Sequence, residues 1–188
     1  MTDVLLLWDT PLLFEKLFIE YNLKCQRTSS SAICTPFLPP CKCVLIPTGF
    51  ANPMYTKILE GIEKNKRVFE KFVKKGGILV VFGPMVNEYY YEWLPMQLKY
   101  VQKQGSNLIH KVVEHDAQSL VPDISVPVEC DGYFSETDSN VLFNNNDGKP
   151  IMVASEFGEG MVIATTIHEF PSSDFLLWVV NRAKMTKI

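Results

Sequence analysis

Four short runs of this chain, VLLLW (Val4 to Trp8), CVLI (Cys43 to Ile46), ILVVF (Ile78 to Phe82) and MVIATT (Met161 to Thr166), are apolar at almost every position. A strand with one wet face alternates apolar and polar residues, so a run that does not alternate must be covered on both sides, as in a parallel sheet. All four stop abruptly. The residues that follow are Asp9-Thr10-Pro11, Pro47-Thr48-Gly49, Gly83-Pro84 and Ile167-His168-Glu169.

The segments between these runs have helical character. Thr10 is placed to cap a helix with Pro11 at its first position, and Leu13, Phe14, Leu17, Phe18 and Tyr21 supply an apolar stripe. Asn52-Pro53 is a second helix start, and Ile58, Leu59, Ile62, Phe69, Phe72 and Val73 keep helical spacing up to Gly76-Gly77, with a break expected between Gly61 and Asn65. Ile151 to Ser155 and Met161 to Thr166 flank Gly158-Glu159-Gly160 as a hairpin. Phe175 to Ala183 reads as a closing helix with Ser173 or Asp174 as its cap. The stretch from Val86 to Gln104 is aromatic and aperiodic, and Leu108 to Phe143 reads as short strands and turns. The pattern predicts one domain over residues 1–188, an α/β three-layer sandwich of flavodoxin-like type, with a mostly parallel sheet and helices on both faces.

Parallel strands deliver their carboxyl ends to one edge of the sheet, where such folds bind ligands. That rule selects Asp9, Thr48, Gly49, Asn52, Gly83 and Thr166 as ligand-binding candidates. His168 and Glu169 are the catalytic candidates of the same edge. Gly49 and Gly83 would let the backbone approach a ligand, and His168 would act as a base or a hydrogen-bonding clamp. The alternatives are that His168 satisfies a buried contact and that Glu169 caps the closing helix. Tyr89, Tyr90, Tyr91, Trp93 and Tyr100 follow the Gly83-Pro84 turn, so they could stack on a sugar ring or simply pack the segment onto the sheet.

The formal charge of −3, with Lys and Arg scattered among the acids, leaves no footprint for nucleic acid or an anionic membrane. No apolar run approaches the roughly 20 residues of a membrane span, and Asp3 stands where an export signal would carry positive charge. The expected setting is the cytoplasm, the expected partner a small polar metabolite, with homo-oligomerisation left open and no cofactor motif present. Five cysteines, Cys25, Cys34, Cys41, Cys43 and Cys130, show no CxxC spacing, so they read as small buried hydrophobes, Cys41 and Cys43 on one strand face. His115, Asp116, Asp131, His168 and Glu169 include donor types that suit a metal, but no pair has helical ligand spacing, and no metal site is assigned.

Three stretches resemble the class I glutamine amidotransferase-like superfamily, and within it divergent members typified by the trehalose utilisation (ThuA-like) family. KFVKKGGILVVFGP (Lys71 to Pro84) is similar to the helix, double glycine and strand that lead to the nucleophile turn. VLIPTGF (Val44 to Phe50) is similar to the strand whose glycine turn contributes to the oxyanion hole, and GEGMVIATTIHEF (Gly158 to Phe170) to the strand that delivers the catalytic histidine and glutamate. The resemblance implies a GxCxG turn with an activated cysteine. This chain has Phe82-Gly83-Pro84-Met85-Val86 there, with no Cys, Ser or Thr. Glutamine hydrolysis by that route is therefore not expected, and Cys130, in VECDGYF, is the one cysteine that a relocated mechanism could use. What remains is either a domain that binds a small polar or carbohydrate-like metabolite or a partner subunit, or a hydrolase that works through His168, with or without a metal.

Overall fold

The computed structural model describes residues 2–188. In chain order its strands are β1 (Val4–Leu7), β2 (Cys25–Thr28), β3 (Cys43–Ile46), β4 (Ile78–Val81), β5 (Glu88–Tyr90), β6 (Leu98–Asn107), β7 (His110–Lys111), β8 (Val128–Thr137), β9 (Asn140–Asn144), β10 (Pro150–Phe157) and β11 (Gly160–Thr165). The α-helices are α1 (Phe14–Glu20), α2 (Ile58–Lys64), α3 (Lys66–Lys74) and α4 (Ser173–Arg182). Eight strands form one sheet in the order β2-β1-β3-β4-β11-β10-β9-β7, and β5-β6-β8 form a second. From β2 to β11 the large sheet is parallel, and β10, β9 and β7 extend it antiparallel.

The register explains the unbroken apolar runs. Val4, Cys43, Ile78 and Met161 lie in one row across four strands, and Leu5, Val44, Leu79 and Val162 in the next. Alternate rows face opposite ways. The first row packs with Phe18 of α1 and with Phe175, Leu176 and Val179 of α4. The second packs with Ile58 and Ile62 of α2, Phe69, Phe72 and Val73 of α3, and Tyr91, Trp93, Tyr100 and Phe134 of the second sheet region. The mixed α/β architecture with a mostly parallel sheet is thus present, but part of one face carries a three-stranded sheet in place of helix.

Several local expectations shift. The first helix begins at Phe14, not at Pro11, because Leu12 N–H is taken by the Glu15 carboxylate and Thr10 caps nothing. Leu13, expected in its buried stripe, is 64% exposed, while Phe18 is enclosed. The second helix begins at Ile58, since Asn52 Oδ1 accepts the Met54 N–H and Asp9 takes Thr56 and Lys57, holding residues 52–57 in turns. Its break at Asn65 is where the sequence suggested. Ser172, not Ser173 or Asp174, caps α4, its Oγ accepting the Phe175 N–H. Cys41 and Cys43 pack on opposite faces, because β3 begins only at Cys43 and Cys41 pairs with Thr186 near the C-terminus.

The hairpin forms as its glycines predict. Phe157 pairs with Gly160 across a two-residue turn in which Gly158 has φ 63°, the left-handed conformation that glycine adopts without steric cost.

Candidate functional site

The carboxyl ends of β1, β3 and β11 open on one pocket of about 340 Å³, lined by Trp8, Leu12, Phe14, Pro47, Thr48, His168, Glu169 and Phe170. Thr48, His168 and Glu169 come together there as polar groups on aromatic and aliphatic walls. Phe14 and Phe170 meet edge to face, their centroids 4.9 Å apart, and Phe82 supports Phe14 from the end of β4 at 5.9 Å. The His168 ring is exposed, and its backbone N–H donates to the Glu129 carbonyl at 2.7 Å. Glu169 also reaches the Glu129 N–H, at 3.4 Å, so its carboxylate tethers β8 weakly while facing the pocket.

The other candidates sit near this pocket without lining it. Asp9 accepts Ser30 N–H at 2.8 Å, the Thr56 hydroxyl at 2.6 Å and Lys57 N–H at 2.8 Å. Burial pushes its carboxyl up, but the bonds from Thr56, Ser30 and Lys57 together prevail and hold it at about 2. Its two oxygens are committed to joining three loops. Gly49, at φ 90°, donates its N–H to the Gly83 carbonyl at 2.7 Å, and Asn52 Nδ2 donates to the Met85 carbonyl at 3.3 Å. These bonds bind the turn after β3 to the turn after β4. Thr166 is fully buried, its hydroxyl donating to the Gly132 carbonyl at 2.7 Å.

Gly83 serves a different purpose from ligand approach. Its Cα lies against the Asp131 carboxylate, and a Cβ would overlap both oxygens. Met85, where the resemblance implies a nucleophile, has φ 52°, a strained left-handed conformation for a residue with a side chain. The chain then enters β5 instead of a helix, so no helix N-terminus faces the turn to stabilise an anion.

The thiols offer no substitute nucleophile. Burial above all pushes Cys25, Cys41 and Cys130 up to about 12 and Cys34 to about 11, and holds Cys43 well above its ordinary value. A thiol so raised stays protonated at neutral pH. The five metal-donor candidates do not converge. His115 Nδ1 accepts Ala117 N–H in a capping box, its ring meets Trp178 at 5.8 Å, and Asp131 is enclosed beneath Gly83. Among the described residues no three His, Cys, Asp or Glu side chains are placed to share an ion.

Most of the aromatic segment packs the fold, while Tyr90 is exposed. Tyr91, Trp93 and Tyr100 are each at most 3% exposed, and Phe50 meets Tyr89, Tyr91 and Trp93 at 5.6 to 6.1 Å. The pocket's aromatic walls come instead from Trp8, Phe14 and Phe170. The signal for them was present in the sequence: Trp8 ends the first apolar run and Phe170 follows His168-Glu169, two positions at the sheet edge that the strand-end rule also selects.

No family model matches the chain, and no curated protein is similar to it in sequence. Among solved structures it is similar to the cytoplasmic protein STM1381 from Salmonella typhimurium LT2, at 14% identity and a TM-score of 0.58, covering 98% of this chain and 100% of that one. It is also similar to a β-galactosidase from Bacillus circulans sp. alkalophilus, at 14% identity and a TM-score of 0.52 over 96% of this chain, and to one from Halorubrum lacusprofundi, at 13% and 0.57 over 97%. This chain spans about 30% of the length of those two β-galactosidases. The likeness is one of fold. Among the described residues no helix is long and apolar enough to cross a membrane.

Proposed function

We propose that this chain is an amidotransferase-like domain of flavodoxin-like, three-layer type without a nucleophile. It acts in the cytoplasm and binds a small carbohydrate-like metabolite in the pocket at the ends of β1, β3 and β11. The observation that carries the reading is the pocket's composition: three aromatic side chains, Trp8, Phe14 and Phe170, around the hydroxyl of Thr48, the imidazole of His168 and the carboxylate of Glu169. A sugar ring has an apolar face for the aromatics and hydroxyls at its rim for the polar groups. A volume near 340 Å³ falls at the lower end of the 300 to 1,000 Å³ usual for small-molecule pockets, about the size for one ring. Pro84 and Met85 at the nucleophile position, and five protonated thiols, support binding in place of covalent catalysis.

Because the larger fold neighbours are β-galactosidases, galactose is the first sugar to titrate, followed by glucose and mannose. Calorimetry should detect binding of at least one of them, lost in His168→Ala, whose unfolding free energy should stay within about 0.5 kcal/mol of the parent because an exposed ring contributes little packing. Release of nitrophenol from p-nitrophenyl glycosides that disappears in His168→Ala would replace the binding reading with a hydrolase. Ammonia release from glutamine that disappears in Cys130→Ala would restore a glutaminase.

A further inference from the structure

One ionisable group of this edge takes no part in the pocket. Asp131, in the middle of β8, is 1% exposed, and neither carboxylate oxygen has a hydrogen-bond partner. Its main chain is fully engaged, with the N–H donating to the Thr166 carbonyl at 2.9 Å and the carbonyl accepting the Tyr100 hydroxyl at 2.8 Å. The Tyr91 hydroxyl is also buried without a partner. The ionisable groups around Asp131 are Tyr91, Tyr100 from β6 and Cys130 from its own strand. The segments that follow β4 and β11 meet it through Gly83 and Thr166, which do not titrate. No cation is among these neighbours. A bare carboxylate in such surroundings is strongly disfavoured and takes up a proton instead.

The position of Asp131 connects it to the pocket. Its side chain bears on Gly83, whose carbonyl accepts the Gly49 N–H beside Thr48. Its N–H holds Thr166, and the carbonyl of Glu129, two residues earlier, holds the N–H of His168. We propose that Asp131 is a proton-operated latch: neutral, it lets β8, the turn after β4 and the strand end after β11 close on one another, and ionised, it forces them apart. A charged Asp131 must reach water, which requires displacing the Gly83-Pro84-Met85 turn or residues 129–132. Met85, at φ 52°, gives that turn strain to release. Burial, offset only in part by the Tyr100 hydroxyl and the residue's own N–H, holds the Asp131 carboxyl at about 7 against an ordinary 3.8, so the latch works across neutral pH. It concerns the stability of the chain and stands or falls separately from the identity of any ligand.

The test is denaturant unfolding as a function of pH for the parent and for Asp131→Asn, which keeps the shape and cannot ionise. A native state that keeps one proton the unfolded chain has lost becomes less stable as pH rises. The folded-to-unfolded ratio of the parent should therefore fall by about tenfold per pH unit more than that of the variant between about pH 4 and pH 7. Parallel profiles for the two proteins would overturn the latch. Infrared spectra of the parent provide a second measurement if the variant fails to fold. The carbonyl stretch of a protonated carboxylic acid should persist at about pH 6 and vanish by about pH 9, with faster hydrogen exchange at Gly83, Met85 and residues 165–168 after correction for the intrinsic rate. Loss of that band by about pH 5, or unchanged exchange, would equally overturn it.

Discussion

Asp9 and Asp131 both stand at the carboxyl edge of the large sheet, and the fold treats them in opposite ways. Asp9, next to the end of β1, receives three hydrogen bonds and is held ionised, at about 2. Asp131, against the end of β4, receives none on its carboxylate and is held up at about 7. Burial acts upward on both, weakly on the partly exposed Asp9 and strongly on the enclosed Asp131, and only at Asp9 do hydrogen bonds outweigh it.

The contrast can be broken from either side, beginning with Asp131. The gap between about 7 and the ordinary 3.8 corresponds to roughly 4 kcal/mol. The raised value means this cost is absent below about pH 4, grows as pH rises to about 7 and is complete above it. Asp131→Asn should therefore stabilise the chain at pH 8 by up to roughly 4 kcal/mol, less the cost of burying its amide, and gain little at pH 4. Chemical unfolding at the two pH values measures this, and an equal effect at both would remove the contrast with Asp9.

Gly83→Ala is the next largest effect. The new Cβ would overlap the Asp131 oxygens, and overpacking of this kind costs about 3 kcal/mol. Combining it with Asp131→Ala should restore part of the loss, and the double-mutant cycle gives the coupling between the two positions. An additive result would mean that Gly83 is needed for its backbone and not for the carboxylate.

Asp9→Asn is expected to cost less, about 1 kcal/mol at neutral pH once solvent screening is allowed for. Because the Asp9 value is lowered, its contribution is present above about pH 4 and lost as pH falls towards 2. The variant and the parent should converge in acid. Their pH profiles would thus bend in opposite directions from those of the Asp131 pair.

Much of the large sheet could be read from the chain because a strand buried on both faces writes its burial into every residue. Val4–Leu7, Cys43–Ile46, Ile78–Val81 and Gly160–Thr165 are strands of one sheet at the positions that their apolar runs implied. The site was legible in part for a related reason: strand ends converge by topology, which brought Thr48, His168 and Glu169 to one pocket. The second sheet was not legible. Its long strands β6 and β8 lie partly exposed and shift register twice along their pairing, so no period of two survives in the sequence.

The sequence by itself determined which strands are central, where they end, and that the turn after β4 holds proline and methionine where the resemblance implies a cysteine. Only the tertiary structure decided the fate of the polar groups at those ends. Asp9 became an anchor because Ser30, Thr56 and Lys57 reach it from two other loops, and Asp131 became an unpaired acid because Gly83, 48 positions earlier, leaves room for a carboxylate whose oxygens no neighbour pairs. Hydrophobic burial is recorded locally, since each residue of a covered strand must be apolar. Hydrogen-bond satisfaction depends on partners distant in the chain, and it exists only once the loops have met.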